Sequence, residues 1–281
     1  MKGTWLKTVA VGSAIVVLLN AQAFSHDALH RQLQATSGLI AQNPLDPDLL
    51  VKRAELWRLL GNFRPAIADL DRAARLDPAL ATVELSRGRV LHQAGQLRSA
   101  KRVLDQLIRR HPEYADALRE RSMVLKRLGR PSAAASDLAR VVQRGADPDD
   151  CAQRARLQVA AGDPQAAVTG LDECMQRLGA YASLQPLAIQ IQIAQGSHSS
   201  AVVRHDTLRK NSAEYLWWTQ RGELLRRLGR SGEAQIAFRE AIRSITALSK
   251  EKRGTRAVTR LLRTLERRNS ASLVTRPQHR R

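Results

Sequence analysis

The chain is 281 residues long, 43% hydrophobic and 26% charged, with aromatics at only 4%. Those proportions leave enough apolar surface for a folded chain and exclude a wholly disordered one, and the apolar share, mostly Ala and Leu, favours helix. A formal net charge of +20 and a pI near 11.3 are far from ordinary and point towards polyanions or an anionic surface.

At the N-terminus Lys2 and Lys7 flank a short basic region, Thr8 to Leu19 is weakly polar to apolar, and Ala21-Gln22-Ala23 followed by Phe24-Ser25 offers small residues for cleavage. That is the three-part pattern of a secretory signal peptide, which we place at residues 1–25. The apolar run is short for a membrane span. The expected mature chain starts near Phe24 or His26 and is exported, periplasmic or secreted; a retained N-terminal anchor is the alternative. From Asp27 to Gln42, Leu29, Leu33, Leu39 and Ile40 recur at helical spacing, and Pro44 closes the segment. Residues 26–46 therefore read as an N-terminal capping helix.

Beyond it one phrase is spoken twice. Gly61-Asn62-Phe63-Arg64-Pro65-Ala66-Ile67 returns as Gly95-Gln96-Leu97-Arg98-Ser99-Ala100-Lys101, and Pro44, Pro78 and Pro112 keep the same period of about 34 residues. Ala66, Leu70 and Ala73 correspond to Ala100, Leu104 and Leu107, so each unit reads as two helices, a glycine turn between them and a proline after them. This resembles the tetratricopeptide repeat. The resemblance implies an all-α fold, a right-handed α-α superhelix or solenoid of about six helix-turn-helix repeats over residues 47–248.

Repeat one, Pro47 to Leu80, carries Leu50, Ala54 and Trp57 on its first helix and Ala66, Leu70 and Ala73 on its second, with Leu70 where the family has an aromatic. Small residues such as Ala54 and Ala66 let paired helices approach, and larger ones fill the space around them. Repeat two, Ala81 to Tyr114, places Gly88, Leu91, Gly95, Ala100 and Leu104 in those slots. Repeat three, Ala115 to Ala146, places Leu118, Ser122, Leu125, Gly129, Ala134 and Leu138 there, with Pro148 arriving late. Repeat four, Pro148 to Gly179, is weaker but keeps Ala155, Gly162, Ala167, Leu171 and Cys174 in phase. Repeat five, Tyr181 to Asn211, is weakest: Pro186 must sit in the first turn of its helix or break it, and His205 takes an apolar slot. A change of stacking is expected between Gly179 and Pro186. Repeat six, Ala213 to Leu248, restores the pattern with Trp218, Gly222, Leu225, Gly229, Ala234, Phe238 and Ala241.

Residues 249–268 read as a C-terminal capping helix. Ala257, Val258, Leu261, Leu262 and Leu265 form its apolar stripe, and Arg256, Arg260, Arg263 and Arg267 lie on its other faces, as a solvating cap needs. Residues 269–281 have no periodicity and read as a disordered basic tail.

Five units place an arginine just before the small residue of the first helix: Arg53, Arg87, Arg121, Arg154 and Arg221. The family has leucine there. A ladder pairing with acids on second helices, Asp69, Asp71 and Asp137 among them, is favoured over an unpartnered stripe. Cys151 and Cys174 belong to one helical hairpin turning at Gly162, which brings both to the same end. In an oxidising compartment they can bond, for a chain-entropy gain of about 3 kcal/mol; the alternative is two small buried thiols.

The resemblance also implies that partners bind in the concave groove lined by the first helices. Carried over by phase, that groove shows Val51, Glu55 and Arg58, then Leu85, Arg89 and His92, then Arg119, Met123 and Lys126. Arg156 and Val159 follow, then Gln190 and Ile193, and finally Thr219, Glu223 and Arg226. The middle of the row is basic with apolar neighbours, which suits an acidic or carboxylate-bearing peptide. Val51 and Glu55 replace the Lys and Asn that open the clamp of chaperone-tail receptors, so that specialisation is disfavoured. His26 and His30, four apart, could share a metal, but no third side-chain ligand is in sight, and Gly196-Ser197-His198-Ser199-Ser200 occupies a repeat turn rather than a nucleophile site. No catalytic or phosphate-binding fingerprint appears, so neither an enzyme nor a cofactor is expected. The expected role is a non-catalytic exported scaffold that binds another protein or peptide. The alternative is a binder of anionic membrane surface or envelope polyanion through Lys252, Arg253, Arg267, Arg268, Arg276, Arg280 and Arg281. Nucleic acid is disfavoured, since export removes it and no base-reading motif is visible.

Overall fold

A computed structural model describes residues 26–178, 184–208 and 213–271. The proposed signal peptide and most of the basic tail lie outside the described residues. Those that are described form two compact units, the first ending at Arg144 and the second starting at Gly145. The expected change of stacking at Gly179 to Pro186 falls partly outside the described residues, at 179–183.

In the first unit, α1 (residues 26–42) precedes three helix pairs: α2 (Pro47–Leu59) with α3 (Phe63–Leu76), α4 (Ala81–Gln93) with α5 (Leu97–Arg110), and α6 (Ala115–Arg127) with α7 (Pro131–Arg144). The start of α2 is set locally. Asp46 accepts from the backbone N–H of Asp48 and Leu49, and Pro47 occupies the first turn, where its missing N–H costs nothing. The pair then reverses at Gly61, whose φ of 76° is open to glycine and strained for other residues; a positive-φ glycine recurs at this turn in every pair. Ala66, Leu70 and Ala73 of α3 meet Leu50 and Ala54 of α2 in a buried cluster that α1 joins through Ile40. Burying one such leucine contributes about 2 kcal/mol. The next cluster repeats the scheme with Ala100, Leu104 and Leu107, and Gly88 is there because a Cβ would come within 2.7 Å of Leu104.

In the second unit the pairs are α8 (Pro148–Ala160) with α9 (Pro164–Leu178), α10 (Gln185–Ala194) with α11 (His198–Thr207), and α12 (Glu214–Arg227) with α13 (Ser231–Thr246). Asp147 and Pro148 open α8 as Asp46 and Pro47 open α2. Pro186 sits in the first turn of α10, which survives as a shorter helix of 10 residues. The slot held by Leu70, Leu104, Leu138, Leu171 and Phe238 is held in α11 by His205, only 4% exposed. A short α14 (Lys250–Arg253) leads into α15 (Arg256–Ala271), whose Val258 and Leu265 are buried against α13. The closing helix thus runs three residues past the expected boundary at 268, within the usual fraying of helix ends. No helix among the described residues is long and apolar enough to cross a membrane.

Candidate functional site

The arginine ladder comes first, because it decides how much positive charge is left for partners. Arg53 grips Asp69 through Nε (2.8 Å) and Nη2 (2.6 Å), and Arg121 grips Asp137 likewise at 2.9 and 2.6 Å while reaching Asp105 at 2.9 Å. The hydrogen bond to Asp69 holds Arg53 protonated above even its usual range, and that to Asp137 does the same for Arg121. Arg87 meets Asp71 at 2.7 Å, Arg154 meets Glu173 at 3.6 Å, and Arg221 meets Asp206 at 3.2 Å. Arg204 adds a two-pronged contact with Asp172, at 2.6 and 2.9 Å, which the periodicity does not announce. Each of these pairs sets one arginine against one acid, so the net charge of +20 is carried by the other basic residues.

In the first unit the first helices α2, α4 and α6 frame a cleft of about 510 Å³ lined by Arg58, Arg89, His92, Gln93, Glu120, Met123 and Arg127. Its charges are arranged in advance. Arg58 donates to Glu55 at 2.6 Å and to Gln93 at 2.7 Å. His92 Nδ1 lies 2.6 Å from the carboxylate of Glu120, which is only 6% exposed. Arg127 donates to the His92 carbonyl at 2.8 Å. Arg89 is held loosely, 3.7 Å from Glu55 and 3.9 Å from Glu120, so its guanidinium keeps donors to spare. This cleft offers fixed donors and one soft apolar wall, Met123, which is 42% exposed.

In the second unit a cleft of about 410 Å³ between the α8 face, the start of α9 and α10 is lined by Arg156, Val159, Pro164, Leu187, Gln190, Ile191, Ala194 and Gln195. Its floor is aliphatic, and its polar groups are one cation and two amides. An apolar side chain would be desolvated there while Arg156 and the glutamines orient its backbone.

Not every residue carried over by phase reaches these clefts. Leu85 is 3% exposed and belongs to the core beside Ala100 and Leu104; Glu84 stands where Leu50 and Leu118 stand in their repeats and turns out to Arg110, so Leu85 fills the interior. Val51 packs partly buried against the first cluster, and Ile193 against the cluster of α11 to α13. Arg119 pairs one turn back with Asp116 at 2.9 Å, and exposed Lys126 is replaced in the cleft by its neighbour Arg127. Glu223 is taken by Arg226 at 3.3 Å and by Arg268 of α15, which closes that part of the α12 face; Thr219 turns its hydroxyl to the Tyr215 carbonyl. The residues missed are Gln93, Glu120 and Arg127 in the first cleft, and Pro164, Leu187, Ile191, Ala194 and Gln195 in the second. Most lie within a few positions of the family's groove slots on the same helices. Glu120 carries no signal of its own, being one acid among many until α6 turns it under His92.

Cys151 and Cys174 are bonded, with Cα atoms 6.3 Å apart, tying the start of α8 to the end of α9. The rings of His26 and His30 lie 4.9 Å apart, and among the described residues no three His, Cys, Asp or Glu side chains converge as a metal site.

Residues 85–150 and 218–245 each match a family described as tetratricopeptide repeat. Among solved structures, the chain is similar to the C-terminal part of a TPR repeat-containing protein from Cytophaga hutchinsonii, at 13% identity and a TM-score of 0.61 over 81% of this chain and 94% of that one. A tetratricopeptide repeat protein from Parabacteroides merdae aligns at 16% identity and a TM-score of 0.49, over 85% and 92% of the two chains. YrrB, described as a TPR protein with an unusual peptide-binding site, aligns at 20% identity and a TM-score of 0.49, over 66% and 96%. The first of these is a likeness of fold. No curated protein matches the chain.

Proposed function

The chain is a tetratricopeptide-repeat protein, and from that premise we propose that it is an exported, non-catalytic adaptor that holds a peptide segment of another protein in the clefts of its first helices. The observation that carries the reading is the cleft of the first unit, where Arg58 is held by Glu55 and Gln93, His92 lies against Glu120, and Arg89 stands loosely between Glu55 and Glu120 with donors to spare. Groups held in place in advance spend little entropy on binding. The ion pairs also refine the expected partner. Glu55 and Glu120 already offset part of the positive charge, so the fitting segment is one with a few placed carboxylates for Arg89 and apolar side chains for Met123, rather than a uniformly acidic run. In the second unit the same logic favours an aliphatic anchor against Val159 and Leu187, with a carboxylate near Arg156. Export rests on the leader-like residues 1–25, and cleavage there leaves the described residues intact.

The test is a random-peptide display selection on the mature protein, repeated on the Arg89→Glu/His92→Ala double variant and, separately, on Arg156→Glu. Enriched peptides should lose at least tenfold in affinity for the variant of the cleft they occupy. Peptides that bind every variant equally would remove both clefts from the account. Export is checked by following the N-terminus of the protein produced in its own cell: cleavage near residue 25 supports it, and an intact N-terminus in the cytosol refutes it.

A further inference from the structure

The closing helix carries a second surface that owes nothing to the clefts. Arg256, Arg260, Arg263 and Arg267 are all exposed. At 3.6 residues per turn their spacing of four, three and four confines them to an arc of about 60°, opposite the buried Val258 and Leu265. With Gly254, Thr259 and Thr264 they line a trough of about 500 Å³. The ladder arginines all have acids; among the described residues these four have none. The one acid of α15, Glu266, lies to the side of the row, and Arg268 is turned away to Glu223. Cations so placed repel one another along the helix, a cost that an opposing row of anions would remove.

We propose that this row is the docking face for an acidic helix of another protein, with Asp or Glu at positions i, i+4, i+7 and i+11. The row spans about 16 Å in steps of about 6, 4.5 and 6 Å. A second helix with the same intervals presents carboxylates at the same steps, and over so short a row a crossing angle of about 20° displaces the ends by no more than an arginine can reach. An extended strand, whose same-face residues recur about every 6.7 Å in equal steps, covers about 20 Å over four positions and does not reproduce the alternation of longer and shorter steps along the row. A bilayer fits less well: the apolar stripe of α15 is spent on the core, so nothing is left to insert, and a row one guanidinium wide meets a plane only along a line. The helix match also assigns the stripe a role that a merely solvating cap does not need.

Two synthetic, alanine-based peptides of equal composition decide it, one with glutamates at i, i+4, i+7 and i+11 and one with the same glutamates dispersed around the helix. On the full mature chain at low salt, the in-register peptide should bind at least tenfold more tightly than the dispersed one, and more weakly as salt rises. The Arg260→Glu/Arg263→Glu variant should lose this preference, and a peptide with lysines at the same four positions should bind that variant better than it binds the wild type. The gain on charge exchange shows that the variant is folded. Equal binding of the two glutamate peptides would overturn the proposal, as would phosphatidylglycerol vesicles that bind the wild type, fail to bind the variant and displace the in-register peptide.

Discussion

In the first unit the arginine ladder is tied by short contacts, Arg53 to Asp69 and Arg121 to both Asp137 and Asp105, whereas in the second unit Arg154 and Arg221 stand 3.6 and 3.2 Å from single acids. The second unit has the disulfide instead, and Arg204 clamps Asp172 from a position outside the ladder. It also fills one core slot with His205, where the first unit uses only aliphatic residues. One repeat phase is thus held by different chemistry in its two halves. The first unit should answer to loss of an arginine, and the second to reductant and to acid.

The largest effect should come from Arg121→Ala. It leaves Asp137, 4% exposed, without its cation and Asp105 with Lys101 alone, at a cost of about 4 kcal/mol. Arg154→Ala, the matching change in the second unit, should cost about 1 kcal/mol because Glu173 is free to turn to water. Urea unfolding of both variants, with hydrogen exchange to locate the loss, measures the contrast; equal losses would break it. Next, Cys151→Ser, or reduction of the wild type, should cost about 3 kcal/mol. Exchange should rise in α8 and α9 and stay unchanged in α2 to α7.

The smallest effect is the pH dependence at His205. Burial holds its imidazole below the ordinary value; the Asp206 carboxylate pulls it back up, Arg221 pushes it further down, and the Gln220 side chain pulls weakly upward. The folded pKa is therefore below the unfolded one of about 6.5, so the unfolded chain takes up the proton first. This contribution to stability is present above about pH 6.5 and is lost as pH falls towards the folded value. The melting temperature of His205→Leu, relative to wild type, should rise on going from pH 7.5 to 5. A constant difference across that range would show that His205 does not titrate in the window.

How much of this was legible follows from what the physics ties to sequence position. The turn glycines, the small residues and the ladder recur because each needs one residue type at one phase, so the six helix pairs could be placed from the string alone. His205 could be seen to occupy an apolar slot for the same reason. The clefts were half legible. Arg58, Arg89, His92 and Met123 fell where phase put them, as did Arg156, Val159 and Gln190, but Leu85 did not, because Glu84 had displaced the core residue by one position. Glu120 was invisible because its value lies in a contact with His92, 28 residues away. The arginines of α15 are legible one by one; that no acid among the described residues pairs with the four of the row is a property of three dimensions.

The central claim, that a peptide lies in the clefts of the first helices, is tested most directly by the hydrogen-exchange footprint of the best display-selected peptide on the intact protein. The account predicts slowed exchange confined to α2, α4 and α6, or to α8 and α10, with α3, α5, α7 and α15 unchanged. Slowing on the second helices or on α15, with those faces untouched, would contradict it.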